Sequence, residues 1–282
     1  RTFQFPVRAW FELYICETAA LQCLAQVAEG GACDIFPEAI ERGGTLSKCL
    51  GVAASGSAEV SRTAVEILEA GGNAFDAALG ALCTASIAEP LLVSLGGGGF
   101  LLALPDGRPP RVYDFFCQTP ARRRPEAELD FYPIVADFGT AGQEFHIGMG
   151  SIAVPGLIAG IFEAHRELGR MPLADILAPA ISLARNGVPI DDFHHYIIRV
   201  LRPILRATAE SFALFASPAD PGRLIRSGEL LRNPDAAVAL EALLAEGRDL
   251  FYRGEWAERL ARDCRERGGQ VTREDLASYR VE

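Results

Sequence analysis

The feature that most constrains the fold is a helix of small residues that leads into a four-glycine loop and then into a strand. Residues 74–88 carry a single charge, at Asp76, among alanines and other small side chains. A helix without a polar face is buried on most sides and packs close to its neighbours. Glu89-Pro90 ends it, because a residue that precedes proline disfavours helical geometry. The glycines of residues 96–99 then favour close approach of the backbone by another strand or by a substrate.

Periodicity and turn signals in the rest of the chain predict an α+β fold whose C-terminal half is nearly all helical. Strands over residues 100–104 and 111–116 flank a turn rich in proline, so they predict a β-hairpin. Residues 122–150 have weak periodicity and predict a long loop. The remaining periodic segments have the apolar spacing and boundaries of helices. They cover residues 10–27, 61–70, 155–168, 173–186, 193–207, 233–246, 255–267 and a short turn capped by Thr272.

The first 49 residues differ in composition from the rest and contain four of the seven cysteines. We therefore predict an N-terminal extension of unknown role over residues 1–49 and a large region over residues 51–282. The number of cysteines is odd, and residues 1–30 carry charges that do not resemble a signal peptide. These two observations favour a cytoplasmic location over secretion.

Composition and spacing argue against several classes of function. The net charge of −10 disfavours nucleic acid as a partner, since both would be anionic. No apolar run approaches the length that a membrane-spanning helix needs. The histidines and cysteines lack the spacing of metal ligands, so we expect neither a metal site nor another cofactor.

The glycine loop favours a pocket lined by backbone over a phosphate cradle, because a strand rather than a helix follows it. Its N–H groups would suit an oxyanion or a carboxylate. Two other features leave alternatives open. Cys117 is either a small buried thiol or a nucleophile paired with His146. The arginines at residues 122–124 form either a solvated loop or an anion-binding site.

Several separate motifs, in one order, make residues 51–282 resemble the γ-glutamyltransferases. That family is a branch of the N-terminal-nucleophile hydrolases. The resemblance implies that this chain forms part of a four-layer αββα sandwich. The motifs are GGNAFDAA at 71–78, EP at 89–90, GGGGF at 96–100, SIAVPG at 151–156, GRMPL at 169–173, PAISLARNG at 179–187, FYRG at 251–254, GG at 268–269 and the segment 272–279.

The resemblance also implies a reaction and a partner. In the family one precursor cuts itself into a large and a small subunit. The new N-terminal threonine of the small subunit attacks a γ-glutamyl amide and passes the acyl group to water or an amine. This chain resembles part of the large subunit, so we expect no catalytic residue in it and a nucleophile supplied by a segment absent from it. Residues 51–282 would supply the scaffold and one wall of the acyl pocket.

The return strand of the hairpin departs from the family pattern. In the family this strand carries Asp-Phe-Arg-Glu, and its arginine pairs with the α-carboxylate of the glutamyl group. Here the matching residues read Asp-Phe-Phe-Cys from Asp114, so Phe116 stands at the arginine position. A phenyl ring cannot bind a carboxylate bidentately. The exchange predicts an apolar acyl group, closer to the substrates of amide or β-lactam side-chain acylases.

Other residues complete the expected substrate site. If a carboxylate is bound after all, Arg111 or an arginine of residues 122–124 would have to reach it. Gly97 and Gly98 are expected to form the backbone wall of the pocket, with Asp114 and Phe116 at its side. The substrate would be a small-molecule amide.

A non-catalytic structural or interaction subunit is the alternative function. It is favoured by the missing nucleophile, the lost arginine and the unrelated segment 1–49. Half of a four-layer fold exposes apolar surface. In either case we therefore expect a partner, which is a small subunit with an N-terminal threonine or another subunit such as a second copy of this chain.

Overall fold

The computed structural model describes residues 14–16, 51–139 and 141–282. Strand β1 (Tyr14–Cys16) pairs antiparallel with strand β2 (Val52–Ala54). The helix predicted over residues 10–27 is therefore wrong at these three residues, because pairing with β2 requires an extended backbone. The rest of that predicted helix lies outside the described residues.

After β2 the described chain alternates helices with two β-hairpins in its first half, and its second half is mostly helical with one pair of short antiparallel strands. The strands are β3 (Phe100–Ala103), β4 (Arg111–Asp114), β5 (Tyr132–Asp137), β6 (Gly142–Ile147), β7 (Val188–Pro189) and β8 (Leu230–Leu231). The helices are α1 (Ala58–Glu69), α2 (Ala74–Ala88), α3 (Leu157–Leu168), α4 (Leu173–Asn186), α5 (Asp192–Val200), α6 (Arg202–Leu205), α7 (Ala209–Leu214), α8 (Pro234–Glu246), α9 (Asp249–Tyr252), α10 (Glu255–Glu266) and α11 (Arg273–Ser278).

Helix α2 is the centre of the largest core, as its small residues predict. Eleven of its 15 residues are buried. It begins with a capping box, in which Asn73 Oδ1 accepts from the Asp76 N–H and Asp76 Oδ2 accepts from the Asn73 N–H, both at 2.9 Å. A Cβ at Gly80 would collide with the Ile67 side chain and would lie 3.1 Å from the Ile176 carbonyl oxygen. Glycine therefore allows α2 to pack tightly between α1 and α4.

The predicted hairpin is confirmed. Strands β3 and β4 pair antiparallel, with Phe100 opposite Asp114 and Ala103 opposite Arg111. A second hairpin, β5–β6, lies in the region predicted as a loop, so that prediction is wrong for residues 132–147. Among the residues of β5 and β6 only Ala136 is fully buried. A strand pair with so little buried surface gives no clear alternation in the sequence.

The C-terminal helices follow the predicted order with one break and two additions, α7 and α9. The helix predicted over residues 193–207 divides at Leu201 into α5 and α6, and Pro203 lies at the start of α6. Helix α7 is capped by Thr208, whose side chain accepts from the Ser211 N–H. Over residues 14–16, 51–139 and 141–282, no helix is both long and apolar enough to span a bilayer.

Candidate functional site

A groove of about 630 Å³ lies between α2, the glycine loop and the β3–β4 hairpin. We call it the acyl groove. None of the described residues that line it carries a charge. They are Ala78, Leu79 and Leu82 of α2, Pro90–Ser94, Gly97–Gly99, Phe100, Leu101, Phe115, Phe116 and Leu157. A concave, mainly apolar surface of this size is typical of a small-molecule site.

The backbone of the loop is anchored at both ends. The Glu89 carbonyl accepts from the N–H groups of Leu92 and Val93, both at 2.9 Å, so the loop turns directly after α2. At the other end the Gly97 carbonyl accepts from the N–H groups of Gly156 and Leu157 at 2.9 and 3.0 Å. The start of α3 thus fixes the position of the groove wall.

Gly98 and Gly99 lie against the segment that follows β4. Gly99 and Phe115 exchange two backbone hydrogen bonds, of 3.0 and 3.3 Å. A Cβ at Gly98 would lie 2.6 Å from the Cys117 nitrogen and 2.7 Å from the Phe115 carbonyl oxygen. The close backbone approach predicted from the glycines is therefore confirmed.

Phe116 forms an aromatic edge of the groove. Its ring stacks on Phe100, with 5.4 Å between centroids and 12° between planes. The side chain is held through the backbone, because the Phe116 N–H donates to Asp114 Oδ1 (2.9 Å) and its carbonyl accepts from the Tyr279 hydroxyl (2.8 Å). Phe116 is 52% exposed, so its ring is available to a ligand in the groove.

The structure brings together Gly97, Gly98 and Phe116 but not all five predicted substrate-site residues. Asp114 lies opposite Phe100 in the register and bonds to the Phe116 N–H, and its backbone pairs with Glu282 by two bonds of 2.8 and 2.9 Å. Arg111 lies at the far end of β4 and forms an ion pair with Glu167 (2.5 Å). Neither Asp114 nor Arg111 lines the groove.

The pair of Arg111 and Glu167 encloses a buried tyrosine. The Tyr113 hydroxyl donates to Glu167 Oε2 (2.7 Å), and the Arg111 guanidinium lies 4.5 Å from the centre of the Tyr113 ring. Burial, followed by the bond to Glu167, raises the pKa of Tyr113 to about 12. Arg111 is thus part of a structural cluster that ties β4 to α3.

Two other predicted candidates also lie away from the groove. The arginines of residues 122–124 line a separate cleft. His146 stacks on Phe131 at 4.6 Å between centroids and lies 3.8 Å from Glu144. Burial raises the pKa of the Cys117 thiol, which makes it a poor nucleophile. In the described part of the chain, no group of three or more His, Cys, Asp or Glu residues could hold a metal ion.

Sequence reasoning missed a buried polar group at the residue that follows α2. The Glu89 side chain is 3% exposed, and its Oε2 atom has no hydrogen-bond partner among the described residues. Burial raises the pKa of Glu89, and the charge of His194 opposes this shift. His194 Nδ1 lies 2.7 Å from Asp191 Oδ1, which fixes the ring. The Glu-Pro pair marked the end of α2, but nothing in the sequence linked it to a residue a hundred positions later.

The comparisons with known proteins agree with this geometry. The family model for gamma-glutamyltranspeptidase matches residues 60–282. The chain belongs to this family. The crystal structure of the Helicobacter pylori gamma-glutamyltranspeptidase is similar with a TM-score of 0.72 and 27% identity, over 85% of this chain and 66% of that one. The predicted fold, α+β and part of the αββα N-terminal-nucleophile hydrolase fold, is confirmed.

Curated relatives of this γ-glutamyltranspeptidase-family chain include two kinds of proenzyme. The glutathione hydrolase proenzyme of Pseudomonas aeruginosa is 31% identical over 78% of this chain and 37% of its own length. The acylase ACY 1 proenzyme of Pseudomonas sp. strain SE83 is 32% identical over 79% of this chain and 39% of its own length. The chain thus spans less than two-fifths of the length of either relative.

Proposed function

We propose that residues 51–282 form the large-subunit region of a γ-glutamyltransferase-like amide hydrolase or acyltransferase. Their role is to supply the scaffold and one wall of the acyl pocket. The observation that carries this proposal is the acyl groove, in which a rigid glycine backbone faces the aromatic pair of Phe100 and Phe116. The nucleophile is the N-terminal threonine of a small subunit, in a segment outside residues 1–282.

The chemistry of the groove supports an apolar acyl group. By the resemblance of the sequence, Phe116 stands just after β4 at the position where the family has a carboxylate-binding arginine. Arg111 is engaged by Glu167, and the described groove lining has no charged side chain. Transfer of a glutamyl α-carboxylate into such a surface would cost free energy because no donor of matching charge replaces its water. An aliphatic or aromatic acyl group would instead gain from burial.

The exposed face of the β3–β4 hairpin supports an assembly with a second polypeptide. Phe100, Leu102, Leu104 and Val112 lie between 54% and 71% exposed. Leu102 and Val112 are directly opposite each other in the register, so they form one apolar patch. A contiguous patch of this kind is typical of an interface. We propose that the small subunit covers it.

The test is hydrolysis of two anilides, one γ-glutamyl and one with an apolar acyl group, by the intact protein. We expect turnover that is lost when the N-terminal threonine of the companion polypeptide is replaced by alanine. The serine replacement is the matched control, since it keeps a hydroxyl nucleophile and should retain part of the activity. Activity that survives the alanine replacement would contradict the proposed nucleophile.

A non-catalytic interaction subunit is the second candidate, and the same apolar patch favours it. In that case neither anilide is hydrolysed, and the chain still assembles stably with another subunit or a second copy of itself. Native mass spectrometry of the purified protein measures the assembly independently of activity. The two measurements together separate the candidates.

A further inference from the structure

A second cleft, of about 450 Å³, lies where the segment after β4 meets the ends of α10 and α11. We call it the arginine cleft. Five of its lining residues are arginines and one is a glutamate, which leaves a formal charge of +4 in a chain whose net charge is −10. These six residues are Arg122, Arg123, Arg124, Arg265, Arg273 and Glu274. The cleft shares no lining residue with the acyl groove.

Arg124 forms the fixed floor of the cleft. Its guanidinium donates to the carbonyl oxygens of Arg265 (3.0 Å), Gly269 (3.2 Å) and Cys264 (3.3 Å). Its Nε donates to Glu128 at 3.1 Å. The three bonds to carbonyl oxygens tie Arg124 to the end of α10, so the two arginines that precede Arg124 are presented by a rigid backbone.

Arg122 and Arg123 form no ion pair with any residue that the structure describes. Both side chains are exposed, and within the described chain neither lies within 4.0 Å of a carboxylate. The charge of Arg122 contributes to the lowered pKa of Asp275, which is buried. The Asp275 oxygens already accept from the Ala121 N–H and from the N–H and hydroxyl of Thr272. That carboxylate is therefore held in place by hydrogen bonds within the fold.

The other two arginines are held only by exposed ion pairs. Arg273 pairs with Glu258 at 3.1 Å, and Arg265 lies 3.7 Å from Glu266. All four of these side chains are more than half exposed. Pairs of this kind contribute little, so both arginines are free to turn towards a ligand.

We propose that the arginine cleft binds a small molecule that carries two or more carboxylate or phosphate groups. Guanidinium groups pair bidentately with both kinds of oxyanion, and several of them around one concavity select a multiply charged ligand over a single charge. The volume falls within the range of small-molecule sites. The overall negative charge of the chain disfavours a long polyanion, whose ends would extend over acidic surface. This site is independent of the proposed acyl transfer.

The experiment is titration of the intact protein with pyrophosphate and with citrate, followed by calorimetry. We expect saturable binding of one or both, with acetate at least about tenfold weaker because it offers one charge. The double variant R122Q/R123Q should bind at least about tenfold more weakly than the wild type. Both side chains are exposed and make no hydrogen bond that the fold needs, so the variant should fold. Its circular-dichroism melting curve checks this.

The matched control is R62Q/R108Q, which removes the same charge at two exposed arginines outside the cleft. It should bind the probes as the wild type does. The proposal is overturned if R122Q/R123Q and R62Q/R108Q bind equally well, if acetate binds as tightly as citrate, or if no probe binds at millimolar concentration. If the double variant melts abnormally, probe binding is measured with the single variant R123Q instead. Weaker binding than in the wild type supports the proposal, and equal binding overturns it.

Discussion

The acyl groove and the arginine cleft lie at the two ends of one segment, residues 116–122, and have opposite chemistry. The groove has no charged lining residue among those described, whereas the cleft has five arginines. The arginines of this part of the chain therefore lie in the cleft and not on the surface that would contact an acyl group. Substrate preference should therefore depend on Phe116 and the glycine loop, not on the nearby run of arginines.

The two sites are also built by different contacts. The groove depends on backbone packed against backbone, at Gly98 and Gly99. The cleft depends on buried or half-buried side chains that bond to backbone, at Arg124 and Asp275. A substitution that adds side-chain volume should therefore destabilise the groove more than the cleft. A substitution that removes a hydrogen-bond acceptor should destabilise the cleft more than the groove.

The largest effect is expected for Gly98→Ala. The new Cβ would lie 2.6 Å from the Cys117 nitrogen and 2.7 Å from the Phe115 carbonyl oxygen, and both are backbone atoms that cannot turn aside. Overpacking of this kind lowers the free energy of unfolding by about 1–3 kcal/mol or more. Thermal or urea unfolding of the intact protein measures it.

Gly96→Ala is the matched control for this change. Its Cβ would lie 3.6 Å from Ser94 Oγ, an ordinary contact, so its stability should stay near that of the wild type. Equal losses of unfolding free energy in the two variants would show that a side chain has the same effect at either glycine. Gly98 would then have no special contact with the hairpin.

A smaller effect is expected for Asp275→Asn on the cleft side. The amide nitrogen would face the Thr272 donors that now bond to Asp275 Oδ2, so about 1–3 kcal/mol of stability should be lost at neutral pH. Burial raises the pKa of Asp275, but the bonds from Ala121 and Thr272 and the charge of Arg122 outweigh it, and the net shift is downward.

The lowered pKa gives this variant a pH signature. The stability that Asp275 contributes is present above its ordinary pKa of 3.8 and is lost as pH falls through the folded-state value. The gap in melting temperature between wild type and Asp275→Asn should therefore narrow in acid. Glu274→Gln, an exposed neighbour that also lines the cleft, should show no such gap. A gap that is constant with pH would contradict this account.

The smallest effect is expected for Glu89→Gln on the groove side, and its pH dependence has the opposite sign. Burial raises the pKa of Glu89 above its ordinary 4.5; His194 opposes this shift, and Asp191 and Glu59 add to it. The stability linked to Glu89 is thus fully present below pH 4.5 and is lost as pH rises through the folded-state value. Relative to Glu89→Gln, the wild type should lose stability between about pH 4 and about pH 7.

Melting curves of the intact protein at both pH values measure this difference. Glu69→Gln, at an exposed glutamate on α1, is the control and should follow the wild type. If the Glu89→Gln and wild-type curves remain parallel across the range, Glu89 does not titrate as a buried group and the prediction is refuted.

Much of the fold could be predicted from the sequence wherever local signals and packing agree. Helix α2 has the predicted bounds because its small residues, capping box and terminal Glu-Pro all favour the same element. The β5–β6 hairpin was missed because it buries almost no side chain, so no face of it alternates. Strand β1 could not be predicted, since only pairing with a strand 38 residues later makes it extended.

The candidate site was predicted in part for a similar reason. Gly97, Gly98 and Phe116 meet because a short hairpin and a loop next to it bring them together locally. The position of Arg111 was not predictable, because its partner Glu167 lies on α3, far along the chain. Glu89 and His194 are likewise joined only by tertiary packing.

The central claim is that Phe116 sets the acyl preference of the groove. The most direct measurement is kcat/KM of the assembled protein for an apolar acyl anilide and for a γ-glutamyl anilide, in the wild type and in Phe116→Arg. The account predicts that the wild type favours the apolar substrate and that the variant shifts the ratio towards the glutamyl substrate by about tenfold or more, because a charge-assisted bond replaces an apolar contact. An unchanged ratio in Phe116→Arg, in a protein that remains active and folded, would contradict it.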